Sequence, residues 1–250
     1  MKRIMFLLAI MLVVFVASAQ KINVAASANL RYVLEEIKTA YMKKYPSVKI
    51  DLTFGASGTL YQQISNGARF DFFMAADTEF PTKLRERGFA AGEVNTYAYG
   101  KLVLYSSSLP VDKRGLDILK HATIAKIAVA NPATAPYGDR AVKLLKALTI
   151  YDEIKHKIVI AENISATAQY VSTGNTELGF IALSLALAPD MKGKGSYYVI
   201  PGNLYQPIAQ SCVLIKKAEL NTAAAEFQKY VLSAETKKMW VKWGYDTPKY

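Results

Sequence analysis

The chain has 250 residues with one cysteine and two histidines, so it can build neither a disulfide framework nor a close His/Cys metal cluster. Its 31 Lys and Arg against 20 Asp and Glu give a net charge of +11. The basic residues are spread along stretches of helical spacing (Lys38, Lys43, Lys44, Lys143, Lys146, Lys237, Lys238) instead of clustering with aromatics, which argues against a nucleic-acid partner.

In chain order, Met1–Ala19 reads as a secretory signal. Lys2 and Arg3 open it, Ile4–Ala17 is an unbroken apolar run, and Ala17-Ser18-Ala19 has the small-x-small form of a cleavage site. The run is shorter than the roughly 20 residues that span a bilayer, and no Cys stands at the cleavage point to carry a lipid. The expectation is an exported, soluble chain beginning at Gln20, with room for one large or two medium domains. Its lone Cys212 reads as a small buried hydrophobe.

After the signal one pattern repeats. Ile22–Ala26 is β-rich, and Leu30, Val33, Leu34, Ile37 and Tyr41 follow at helical spacing across the turn Ser27-Ala28-Asn29. Val48–Phe54 is the next strand, and a helix holding Leu60 and Ile64 follows the turn "GASG". Phe70–Ala75 is a buried strand, Thr82–Arg87 a short charged helix and Lys101–Tyr105 another strand. The pattern then restarts with strand Lys126–Ala130, turn "NPATAPYGD" (131–139) and a helix through Ala141, Leu144, Leu145 and Leu148. Strand Lys157–Ala161, turn "ENIS" (162–165), a short helix over 165–174 and strand Leu178–Leu183 complete it. Such alternation predicts an α/β fold with mainly parallel sheets, in which ligands bind where strands end and helices begin.

Four such turns fall in two pairs, before and after residue 100, which suggests a cleft between two half-domains. Each is polar but uncharged: Ser27 and Asn29, Ser57 and Thr59, Thr134 and Tyr137, Asn163 and Ser165. Ser, Thr and Asn are also ordinary helix N-caps, so any one turn is explained without a ligand. The glycines flanking Ser57 favour close approach of another group. A helix N-terminus carries about half a positive charge and several unpaired N–H groups, enough to hold an oxyanion without a basic side chain. Directed neutral donors select a deprotonated tetrahedral dianion by geometry.

The stretches "AASANL", "SGTLYQQISNGARFDFFMAAD", "TGNTELGFIALS" and "WVKWGYDTP" resemble the periplasmic molybdate-binding proteins of ABC importers, from Ile22 almost to the C-terminus. The resemblance implies a class II periplasmic binding protein of two lobes joined by two hinge strands, closing over molybdate or tungstate. It implies no cofactor, no enzymatic activity, a monomer and a membrane permease as partner. The implied ligand set is Asn29 from the first turn with Ser27 as the fallback and Ala28 between them. Ser57 and the N–H of Gly58 come from the second turn, Tyr137 from the third, and the N–H of Ile164 from the fourth. Many members carry a Tyr hydroxyl where this chain has Ala182, so Tyr137 either replaces that donor or coordination is one donor poorer. Arg69 replaces a usual Pro. The same picture places the crossings near Ala98–Ser106 and Tyr205–Ile215, giving lobe one as 20–100 plus 210–250 and lobe two as 101–209.

Two other readings are open to the residues. "GASGT" approaches a nucleophile elbow, with His121 or His156 as base, although Thr59 stands where the final Gly belongs. Sulfate and phosphate are tetrahedral anions that the same turns could hold.

Overall fold

The computed structural model describes residues 20–216 and 221–248. The signal segment expected at Met1–Ala19 lies outside the described residues. The first stretch runs β1 (Gln20–Ser27), α1 (Arg31–Lys44), β2 (Val48–Gly55), α2 (Ser57–Ser65), β3 (Phe72–Met74), α3 (Glu79–Glu86) and β4 (Ala90–Gly100). The second runs β5 (Leu102–Ser106), α4 (Val111–Arg114), β6 (Ile127–Ala130), α5 (Pro136–Ala147), α6 (Tyr151–Ile154), β7 (Ile158–Ala161), α7 (Ile164–Ser172), β8 (Leu178–Ala182), α8 (Leu183–Ala186) and β9 (Ser196–Val199). The chain returns through β10 (Ile208–Ile215), α9 (Thr222–Val231) and α10 (Ala234–Lys242).

Two five-stranded sheets result, ordered β2-β1-β3-β10-β4 and β7-β6-β8-β5-β9. In the first, β1 pairs parallel with β2 and β3, while β10 pairs antiparallel with β3 and β4. The second repeats this, with β6 parallel to β7 and β8, and β5 antiparallel to β8 and β9. The α/β two-lobe architecture is the one expected, but parallel pairing makes up half of each sheet, not most of it. Parallel neighbours need a crossover helix between them. The helix-linked strands therefore form the parallel core, and the segments that enter and leave each sheet add antiparallel strands beside it.

The inner strands β3, β5, β6 and β8 are buried along their whole length. In β3, Phe72 and Met74 point into one apolar cluster and Phe73 into another, the period-2 alternation of a strand. Phe72 packs edge-on against Phe227 of α9, in a cluster that also holds Leu34 and Ile37 of α1 and Trp240 of α10. Phe73 lies in a cluster with Leu60 and Ile64 of α2 and Leu84 of α3. Each such side chain contributes about 1.5–3 kcal/mol by leaving water. The core thus fixes the ends of β1 and β2, and with them the starts of α1 and α2.

Passage between the sheets takes one residue, Lys101, on the way out and the segment from Ile200 to Pro207 on the way back. Cys212 of β10 is buried, and loss of solvent pushes its thiol up to about 12, with a bond from Gln228 opposing the rise. Thiolate is the reactive form, so native protein at pH 8 should resist an aromatic disulfide reagent and titrate one thiol only in denaturant. Stoichiometric labelling of the native protein within minutes would contradict this burial.

Candidate functional site

The four strand-to-helix turns meet at one junction. Gly58 N–H donates to the Thr134 carbonyl at 2.8 Å, joining the second turn to the third. Ser165 Oγ donates to the Ala28 carbonyl at 3.1 Å, joining the fourth to the first, and Ser184 Oγ of α8 donates to the Asn29 carbonyl at 2.9 Å. Ala28, Ala56 and Ala76 pack in the same apolar cluster as Ala130, Ala135, Tyr137 and Ile164. Such small side chains allow the backbones of two sheets to come this close.

What the junction offers is donors. Ser57 opens α2 behind Ala56, which occupies the N-cap position. Ser57 is fully buried, and its Oγ accepts the N–H of Ala76 at 2.9 Å, so it is not the cap of its own helix. That bond uses a lone pair and leaves the hydroxyl hydrogen to donate. Asn163 caps α7, its Oδ1 accepting the N–H groups of Ser165 and Ala166 at 3.0 Å each. Among the described residues, the N–H groups of Ser57, Tyr137 and Ile164 have no acceptor. Nor has the hydroxyl of Ser27, which opens the first turn and makes no capping bond.

Two expected residues are placed differently from the sequence reading. Gly58 was to add an N–H from the second turn, but that N–H goes to Thr134, because the third turn packs directly against it. Asn29 is fully buried, and its Nδ2 donates to Gln210 Oε1 and Tyr245 Oη, both at 2.9 Å, while its Oδ1 has no partner. Ala28 takes part through its carbonyl, bonded to Ser165. Ala182, where a hydroxyl was missed, is buried and precedes α8. Two residues on, Ser184 does carry a hydroxyl, engaged with Asn29 and Tyr245.

Sequence reading missed a polar group at the centre. Gln210 of β10 donates through Nε2 to the Tyr137 hydroxyl at 3.0 Å, and its Oε1 faces both Asn29 and Tyr97. Burial raises the phenols of Tyr97 and Tyr137 well above the usual range, so both are neutral hydroxyls. In sequence, "IAQSC" has only a lone Gln in an apolar strand, and nothing local marks it as functional.

Two grooves flank the junction. One, of about 520 Å³, is lined by Ala28, Arg31, Tyr32, Asn163, Ser165 and Asp190. The other, of about 360 Å³, is lined by Asp77, Phe80, Thr134, Pro136, Arg140 and Ile208. Burial pushes the Asp77 carboxyl up to about 6, against a lowering bond from the Phe80 N–H. The charged groups that line the grooves are not hydrogen-bonded to the junction's free donors. No group of three or more His, Cys, Asp or Glu that could hold a metal ion occurs among the described residues. His121 is exposed and paired with Thr123, His156 is exposed, and Ser57 bonds to neither, so the nucleophile–base pair of the hydrolase reading is not formed.

A junction of neutral donors between two sheets, reached by two crossings, fits a solute-binding protein. The profile of a family described as bacterial extracellular solute-binding protein matches residues 22–246. The chain belongs to that family. It is 38% identical over 231 residues to the molybdate-binding protein ModA of Azotobacter vinelandii, covering 92% of this chain and 91% of that protein. With the molybdate-binding protein ModA of Rhodobacter capsulatus it shares 35% identity, covering 92% of this chain and 90% of that one. The solved structure of the Azotobacter vinelandii periplasmic molybdate-binding protein superposes with a TM-score of 0.85 at 32% identity, over 91% of this chain and all of that one. The family resemblance read from the motifs therefore holds over nearly the whole chain, as does the fold class it implied.

Proposed function

We propose that this protein captures molybdate or tungstate between its lobes and delivers it to the membrane permease of an ABC importer, without chemistry of its own. The observation that carries the reading is the set of free, neutral donors, the N–H groups of Ser57, Tyr137 and Ile164 with the hydroxyls of Ser57 and Ser27, brought to one junction from both sheets. Asn29 and Ala28 complete the first turn. The identity to proteins named for molybdate supports that anion over sulfate or phosphate. Lobe one is 20–100 with 210–250, lobe two is 101–209, and the protein works as an exported, periplasmic monomer after cleavage near Ala19. Contacts such as Gly58 to Thr134 and Ser165 to Ala28 form on closure, and the anion drives closure by binding the closed form better.

Calorimetry across molybdate, tungstate, sulfate and phosphate tests this. One site per monomer is expected for molybdate or tungstate, worth about −9 kcal/mol or better. Tight sulfate binding with no response to molybdate would overturn it.

Ser57→Ala separates a ligand from a structural tie. Losing a hydroxyl donor to a charged acceptor costs about 1.5–3 kcal/mol, so molybdate affinity should fall roughly ten- to hundredfold. The buried Ala76 N–H also loses its acceptor, so the ligand-free protein should melt lower, by about 1–3 kcal/mol of stability. A lowered melting temperature with unchanged affinity would leave Ser57 only the tie to Ala76.

A further inference from the structure

We infer that Gln210 is a positioning residue that turns the Asn29 amide so that its NH₂ faces the anion, an inference that rests on the oxyanion-binding reading above. Asn29 Nδ2 donates to Gln210 Oε1 and Tyr245 Oη, and its buried Oδ1 is left without a donor. The Tyr97 hydroxyl faces two acceptors, the Ala75 carbonyl at 2.8 Å and Gln210 Oε1 at 3.1 Å, with one hydrogen for both. The Tyr137 hydroxyl accepts from Gln210 Nε2, and its own hydrogen has no acceptor among the described residues. An acceptor held unpaired beside a dianion would repel it.

The oxygen and nitrogen ends of an amide have the same shape, and reversing both amides together resolves each conflict. Gln210 Nε2 then donates to Asn29 Oδ1 and to the Tyr97 oxygen, which frees the Tyr97 hydrogen for the Ala75 carbonyl. The Tyr137 hydroxyl donates to Gln210 Oε1. Tyr245 gives its hydrogen to Asn29 Oδ1, and Ser184 keeps its bond to the Asn29 carbonyl. Every hydrogen in the network then has an acceptor except the two on Asn29 Nδ2. Those two are what a fully deprotonated anion accepts, and a pairing with Gln210 holds them outward. Because Gln210 lies on β10, beside the return crossing, it joins Asn29, in the turn after β1, to Tyr137 at the start of α5.

The test is a mutant cycle, with Gln210→Met alone and in an Asn29→Ala background. It is titrated with whichever of molybdate, tungstate, sulfate and phosphate the wild type binds most tightly. A change of anion would then overturn the molybdate reading and not this one. Gln210→Met should weaken binding about thirtyfold or more alone and less than about tenfold once Asn29 is Ala, where only its bond to Tyr137, about 1 kcal/mol, is still lost. Equal losses in both backgrounds, or no loss in the first, would overturn the inference. If Gln210→Met does not fold, side-chain amide exchange by NMR of the ¹⁵N-labelled wild type decides. The Gln210 NH₂ should be protected with and without anion, and the Asn29 NH₂ only with it. An Asn29 NH₂ already protected in the ligand-free protein would place its donors on Gln210 and overturn the inference.

Discussion

Gly58→Ala should bind molybdate about thirtyfold to several hundredfold more weakly, while the ligand-free protein melts at the same temperature or slightly higher. A Cβ at this position would lie 2.9 Å from Thr134 Cα and 2.8 Å from Phe80 Cζ. The Phe80 ring end can swing aside, but Thr134 offers backbone, which moves only if the third turn moves. Overpacking of this kind costs about 1–3 kcal/mol. Loss of the bond from Gly58 N–H to the Thr134 carbonyl adds about 1 kcal/mol. Both penalties fall on the form in which the lobes touch, so they appear as lost affinity. The open, ligand-free form proposed above would escape them, and there Ala gains up to about 1 kcal/mol over Gly by helix propensity. Calorimetry with a melting curve on the same sample reads both quantities, and scattering should show the radius of gyration failing to fall at molybdate concentrations that compact the wild type. Unchanged affinity would mean that the contact between Gly58 and Thr134 is not part of the bound state.

Gly138→Ala should act on stability instead, lowering it by about 3 kcal/mol or more. Helix propensity alone predicts the opposite, a gain of up to about 1 kcal/mol, since Gly138 lies within α5. Packing decides the sign. A Cβ there would sit 1.9 Å from the Ala130 carbonyl oxygen and 2.6 Å from its carbon. That atom is backbone at the end of β6, held between β7 and β8. No side chain can yield, so helix and strand must part, at the upper end of the overpacking range. For a chain of this size that is a drop of roughly 6–12 °C in melting temperature. A melt equal to or above wild type would show that α5 does not rest on β6 as described. Molybdate affinity should fall as well, because Tyr137, whose N–H is one of the free donors, is the preceding residue.

Much of this site was legible because its parts are local. A strand that ends in Gly, Ser or Asn and turns at once into an apolar-periodic helix announces itself within a dozen residues. The turns that open α2, α5 and α7 are legible this way, while the choice of Tyr137 and Ile164 within them, like the anion, comes from the family motifs. Boundaries held to within a few residues where burial is strong, as in β1 and α1. They failed where it is weak. β4, "AAGEVNTYAYG", is largely Ala, Gly, Glu and Asn, a poor strand by propensity with only four of its eleven residues buried. It is a strand because β10 pairs with it over most of its length, through two register shifts. β9 is likewise an edge strand, held by β5.

The sequence by itself determined the repeated strand-to-helix turns, their lack of charge and the class of ligand such turns suit, because hydrophobic period and turn chemistry act between near neighbours. Tertiary structure decided which donors are free. Gly58 loses its N–H to Thr134, 76 residues away in sequence, and Ser57 ties its oxygen to Ala76 while keeping its hydrogen. Asn29 is hydrogen-bonded to Gln210 and Tyr245, which lie 181 and 216 residues further along the chain. A hydrogen bond is settled by what stands within about 3 Å in space, and only the packing of two sheets against each other brings those partners there.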